Sequence, residues 1–180
     1  MLQKFKNHLL ENFQFLNGKK LLLATSGGID SMILLHLFQQ LEFDIALAHC
    51  NFQLRGMDSF ADQNFVQEYA DANNIPIFVT QFDTQAFAKD YKLSTQVAAR
   101  ELRYNWFYEL LETENYDYIL TAHHADDNLE TFLINLSRGT GLEGLTGIPQ
   151  QNENIIRPLL LFSREEIEAY AKENNILWRE

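Results

Sequence analysis

Cysteine is nearly absent: Cys50 stands alone in 180 residues. One thiol cannot close a disulfide within the chain, nor build a cysteine-liganded zinc or iron–sulfur site from the chain's own residues. Long apolar runs are missing as well. Nothing approaches the roughly 18–20 apolar residues needed to cross a bilayer. The opening MLQKFKNHLLENFQFL mixes charges with apolar residues and lacks the small-residue cleavage site of a secretory leader, so it reads as an amphipathic helix. These absences imply no membrane partner and a cytoplasmic setting. Positive charge is the third scarcity. There are 14 Lys and Arg against 25 Asp and Glu, a formal net charge of −11. That argues against nucleic-acid binding through overall charge, because neutralising phosphates takes clustered cations. A local basic cleft stays compatible with it. Internal repeats and low-complexity tracts are also lacking.

What is present is ordinary for a soluble globular protein: 46% hydrophobic and 22% charged residues. The length suits one domain, 1–180, with a full core. Short apolar segments at 20–26, 44–50, 76–81 and 116–122 read as buried strands, with a weaker fifth at 154–160. Helical patterns occupy 30–41, 59–74, 94–113, 125–138 and 163–175. Short strands alternating with longer helices predict an α/β fold: an open, mostly parallel five-stranded sheet with helices on both faces, Rossmann-like. The glycine-dense stretch at 138–149 predicts a long loop. In such sheets ligands bind at the carboxyl ends of the strands. The informative segments are therefore SGGIDS, HCNFQLRG, QFDTQ and HHADD, all opening on one edge.

SGGIDS follows the first strand and opens a helix. It lacks the spacing of a dinucleotide fingerprint, the lysine of a Walker loop and the setting of a nucleophile elbow. Gly27 and Gly28 permit close approach of a ligand to the backbone. Free N–H groups at the helix start favour an anion, and Ser26 and Ser31 add hydroxyls. Asp30 would repel a bare phosphate; it either caps the helix or holds a magnesium ion that bridges to phosphates. In HHADDNLET, His123 and Asp127 lie four apart, as do Asp126 and Glu130. Acids in a first turn can be simple dipole partners. Two acids after two histidines, at the ligand edge, exceed that need and suggest with Asp30 an oxygen-ligand magnesium site. Zinc ranks lower, since it takes fewer carboxylates. Arg55, Arg100, Arg103, Arg138 and Arg157 are each ordinarily solvated; together they could complement a triphosphate or an RNA backbone.

These residues carry a family resemblance. SGGIDS resembles the SGGxDS signature of the PP-loop ATP pyrophosphatases, shared across that superfamily. Within it, the order of AHCNFQLRG, QVAARELRYNWF, TAHHADDNLETFLINLSRGTGLEGLTGI and IIRPLL is most similar to the tRNA(Ile)-lysidine synthetases. Two departures stand out. Phe52 replaces the residue usually found after the asparagine of the second strand, and the chain stops at ILWRE, where the family continues into tRNA-binding domains. The resemblance implies an N-terminal, adenine nucleotide alpha hydrolase-like catalytic domain, cut short, and a carbon–nitrogen ligase. ATP would adenylate C2 of the wobble cytidine in tRNA(Ile) with a CAU anticodon, releasing pyrophosphate. L-lysine would then displace AMP to give lysidine, changing codon reading from AUG to AUA. ATP and Mg2+ are the implied cofactors, and a homodimer is allowed. Ser26, Gly27, Gly28, Ile29, Asp30 and Ser31 would surround ATP. Asp30, Asp126 and Asp127 would hold the metal, and His123, Arg100 and Arg103 would join Asp30 and Asp127 in catalysis. Competing readings are another PP-loop enzyme, such as a tRNA thiolase or an amidotransferase-type synthetase, and a nucleotide-sensing module without catalysis.

Overall fold

A short apolar segment loses most water contact as an inner strand of a sheet covered on both faces. The computed structural model describes residues 1–139 and 147–180. Its strands are β1 (Leu21–Ala24), β2 (Ile45–Asn51), β3 (Ile77–Gln81), β4 (Tyr118–Leu120), β5 (Gln151–Asn152) and β6 (Ile155–Ile156). The helices are α1 (Leu2–Asn12), α2 (Ile29–Gln40), α3 (Met57–Asn73), α4 (Thr84–Asp90), α5 (Thr95–Thr113), α6 (Ala125–Ser137) and α7 (Arg164–Glu173). The strand order is β3-β2-β1-β4-β6-β5. Every pairing is parallel except β5 with β6. The expected α/β architecture is therefore the one observed, with six strands where five were expected. The weak segment at 154–160 supplies only β6; Pro158 has no N–H to continue a ladder. Glu153, at φ 52, turns the chain so that β5 pairs back on it. The glycine-dense loop expected at 138–149 lies largely outside the described residues.

Alternation along β1 divides the core. Leu21 and Leu23 face a cluster built from α1, α2, α3 and α7, whereas Leu22 joins Ala46, Ala48, Phe107, Leu110 and Ile119 on the other face. Met32, Ile33, Leu34, Leu35, Leu37 and Phe38 of α2 are all fully buried, as expected of a helix that is apolar around its circumference. No helix among the described residues is long and apolar enough to cross a membrane.

The topology fixes where a ligand can sit. From β1 the chain winds outward through β2 and β3, then returns to the other side of β1 as β4. The connections after β1 and β4 leave in opposite directions and open a crevice between them. Leu23 pairs with Leu120, so Ser26 and His123, each three residues further on, emerge side by side above that crevice.

Candidate active site at the carboxyl edge of the sheet

A cleft of about 260 Å³ occupies this crevice, lined by Ser26, Asp30 and Ser31 from the first loop, Cys50 and Phe52 from the second, Arg103 from α5, and His123 and Asp127 from the fourth. The first loop is held by its own hydroxyls. Ser31 Oγ donates to the Gly28 carbonyl at 2.8 Å and accepts the Ser26 and Gly27 N–H groups at 3.2 Å each. The Gly28 N–H reaches Ser26 Oγ at 3.2 Å. Gly28 is the N-cap of α2 and provides no side-chain cap, so the start of the helix relies on external partners. Gly27 has φ +92, and a Cβ there would lie 3.3 Å from Val66 Cγ2 and 3.4 Å from Phe65 Cδ1. Behind the loop, buried His49 donates from Nδ1 to the Thr25 carbonyl at 2.9 Å.

Three carboxylates gather around His124, which is 8% exposed. Its Nε2 lies 3.7 Å from Asp30 Oδ1 and 3.6 Å from Asp127 Oδ2, and its Nδ1 lies 3.6 Å from Asp126 Oδ2. Asp127 Oδ2 also accepts the His124 N–H at 2.9 Å, closing the first turn of α6. Arg164, at the start of α7, binds Asp30 through Nη1, 2.9 and 2.7 Å from the two oxygens. Its backbone N–H donates to Asp126 at 2.8 Å. His123 lines the cleft with Nδ1 2.9 Å from Thr121 Oγ1. Burial, and then the positive charge of Arg157, lower its pKa to about 4, so the ring is neutral at neutral pH. Arg103 lays its guanidinium 5.2 Å from the centroid of Phe52, which stacks on Phe82 at 5.7 Å; a cation held over an aromatic face keeps a defined direction. Arg157 is 4% exposed and donates from Nη1 to the Pro149 carbonyl at 2.9 Å. Burial pushes the Cys50 thiol up to about 12, which keeps it protonated.

The structure brings Ser26, Asp30, Ser31, Arg103, His123 and Asp127 into one cleft. Gly27, Gly28 and Ile29 lie beside it at the start of α2 and are not among its lining residues, the Ile29 side chain being buried in the core. Asp126 and Arg100 are not among the lining residues. The Asp126 carboxylate turns toward the start of α7, and Arg100 is exposed on α5, stacked 4.8 Å from the Tyr104 ring. Sequence reasoning missed His124 and Arg164. The doubled histidine signalled the first; nothing local signalled the second, which arrives from 134 residues away in the chain.

The chain matches the PP-loop domain model over residues 1–180. It is 43% identical over 178 residues to the tRNA(Ile)-lysidine synthase of Porphyromonas gingivalis, covering 98% of this chain and 39% of that protein. With the tRNA(Ile)-lysidine synthase of Chlorobaculum tepidum it shares 45% identity over 182 residues, covering 99% and 55%. The chain thus spans about two fifths to just over half the length of these curated relatives. Among solved structures, the U34-tRNA thiolase NcsA from Methanococcus maripaludis superposes with a TM-score of 0.80 at 15% identity, covering 99% of this chain and 66% of that one. The NH3-dependent NAD synthetase from Campylobacter jejuni gives 0.65 at 19% identity, covering 97% and 72%. At such identities these two likenesses speak for the fold.

Proposed function

The chain belongs to the PP-loop domain family, and on that premise we propose that it is the ATP-cleaving domain of a tRNA(Ile)-lysidine synthase. The observation that carries the reading is the cleft itself: an uncapped helix start, two carboxylates, an oriented arginine and a neutral histidine share one opening. The Ser26, Gly27 and Gly28 N–H groups and the Ser26 and Ser31 hydroxyls are placed to exchange their mutual hydrogen bonds for phosphate oxygens. The cytidine O2 of tRNA(Ile) with a CAU anticodon attacks the α-phosphorus, the bond to the β-phosphate oxygen breaks, and pyrophosphate leaves. The amine of L-lysine then forms a bond to C2 as the C2–O bond breaks and AMP departs. Arg103, steered by Phe52, offsets charge that develops on the phosphates.

The donor set fits magnesium, which favours oxygen ligands and is often held by one or two carboxylates plus substrate phosphates. Asp30 and Asp127 both line the cleft and both approach His124 Nε2. Among the described residues no three acidic, histidine or cysteine side chains form a metal cage, so these two would hold the ion together with the phosphates. Bound there, magnesium would supply charge neutralisation for the departing pyrophosphate.

Cys50 counts against the thiolase alternative, being solitary and held protonated. The net charge of −11 supports placing most tRNA affinity in the part of the relatives that this chain does not span. The decisive assay is pyrophosphate release from ATP in the presence of tRNA(Ile), followed by incorporation of lysine into that tRNA. Release without any dependence on tRNA would sink the reading. Asp127→Asn is expected to keep the fold, because an asparagine carbonyl can still accept the His124 N–H. Adenylation should fall by about a hundredfold or more, because a charge is lost where charge develops. A variant that turns over normally would remove Asp127 from the chemistry.

A further inference from the structure

We propose that Asp62, outside the cleft, is a positioning residue that sets the polarity of the phosphate loop, acting through the Arg179 strand of chain that crosses behind it. The proposal rests on the reading of the cleft as an ATP site. Asp62 lies on α3 and is 8% exposed. A carboxylate so buried needs charged partners, and it has two, one from the loop just before α3 and one 117 residues away. Arg179 Nε donates to Oδ1 at 2.7 Å, and Arg55 Nη2 donates to Oδ2. Arg179 in turn gives its backbone N–H to the carbonyl of Gly27 at 2.9 Å. The same helix presents Phe65 and Val66 to Gly27, so close that a Cβ there would meet Val66 Cγ2 at 3.3 Å.

The consequence follows from peptide planarity. In a trans peptide the C=O and the following N–H point in opposite directions. With the Gly27 carbonyl held back toward Arg179, the Gly28 N–H is turned forward, toward Ser26 Oγ on the cleft wall. A glycine pair has little intrinsic resistance to flipping this peptide. Flipped, it would aim a carbonyl oxygen at the phosphates in place of a donor. Asp62 fixes the Arg179 side chain, the side chain fixes its backbone, and the backbone fixes the peptide. Arg55 ties the loop after β2 to the same carboxylate, so both walls of the cleft share one anchor.

The test compares ATP with adenosine by calorimetric titration of the chain. Asp62→Asn and Arg179→Gln are each expected to weaken ATP binding about tenfold, the weight of one charge-assisted contact, with adenosine affinity unchanged. Arg179→Lys, which can still reach Asp62, should recover most of the loss. Arg179→Pro removes the N–H itself and should match the glutamine variant. Equal losses for ATP and adenosine would mean general loosening and would overturn the positioning role. So would ATP binding at wild-type strength in Arg179→Pro. A wild-type chain that binds no ATP would instead overturn the reading of the cleft on which the proposal rests.

Discussion

At the scale of single residues, the two adjacent glycines serve different ends. Gly27 sits at φ +92 against Val66 and Phe65, whereas Gly28 has φ −73 and nothing nearer to its missing Cβ than Ser26 Oγ at 3.4 Å. Gly27→Ala should therefore cost roughly 1–2 kcal/mol of stability, for a left-handed alanine in a tight space. Gly28→Ala should stay within about 0.5 kcal/mol of wild type. Urea unfolding of the two variants checks the contrast; equal losses would contradict it. Sequence identity alone placed both glycines in the loop but could not separate them, since the sign of φ is decided by what packs behind. The same limit applied to the paired histidines and paired acids. His123 and Asp127 line the cleft, whereas His124 is buried among Asp30, Asp126 and Asp127, and Asp126 accepts the backbone N–H at the start of α7. Arg164 settles that choice, and its contact with Asp30 spans 134 positions.

At the scale of elements, local chemistry was legible where it was self-contained. The helix expected at 94–113 forms as α5 (Thr95–Thr113), with Ser94 accepting the Val97 N–H at 3.3 Å. α7 carries a full capping box: Ser163 Oγ accepts the Glu166 N–H at 3.2 Å, and Glu166 returns to the Ser163 N–H at 3.0 Å. Ser163→Ala should cost about 1 kcal/mol. Because this turn carries Arg164 onto Asp30, its loss should also weaken ATP binding, which Ser94→Ala, of similar cost, should not. Urea midpoints and ATP titrations of both variants make the comparison; an unchanged ATP affinity in Ser163→Ala would detach α7 from the site. The elements that escaped notice had too few residues to show a period. α4 spans only Thr84–Asp90, with its cap Asp83 inside a segment read as loop. β5 is two residues and exists through its pairing with β6, the short strand already expected within 154–160.

At the scale of the whole molecule, four buried or half-buried histidines shape how the fold meets acid. His8, His36, His49 and His123 all have pKa values lowered by burial, His123 to about 4. A group whose folded pKa lies below its unfolded value of 6.5 binds fewer protons when folded. Between those limits the unfolded chain takes up protons that the native state refuses, so stability rises with pH. The neutral rings cost nothing above about pH 6.5, and stability is lost as pH falls from there toward 4. His123 alone should remove no more than about 2 kcal/mol by pH 5. An opposing effect exists at this scale. The net charge of −11 becomes smaller as acids and histidines gain protons, which relieves self-repulsion in the compact state. The two influences separate by mutation. The urea midpoint of the wild-type chain should drop between pH 7 and pH 5, and His123→Gln should show a shallower drop, because glutamine refuses no proton. Changing one histidine scarcely alters the overall charge, so any flattening reports the buried ring. Identical pH slopes for the two proteins would show that His123 titrates alike in the folded and unfolded chain, and its neutrality in the cleft would then need another cause.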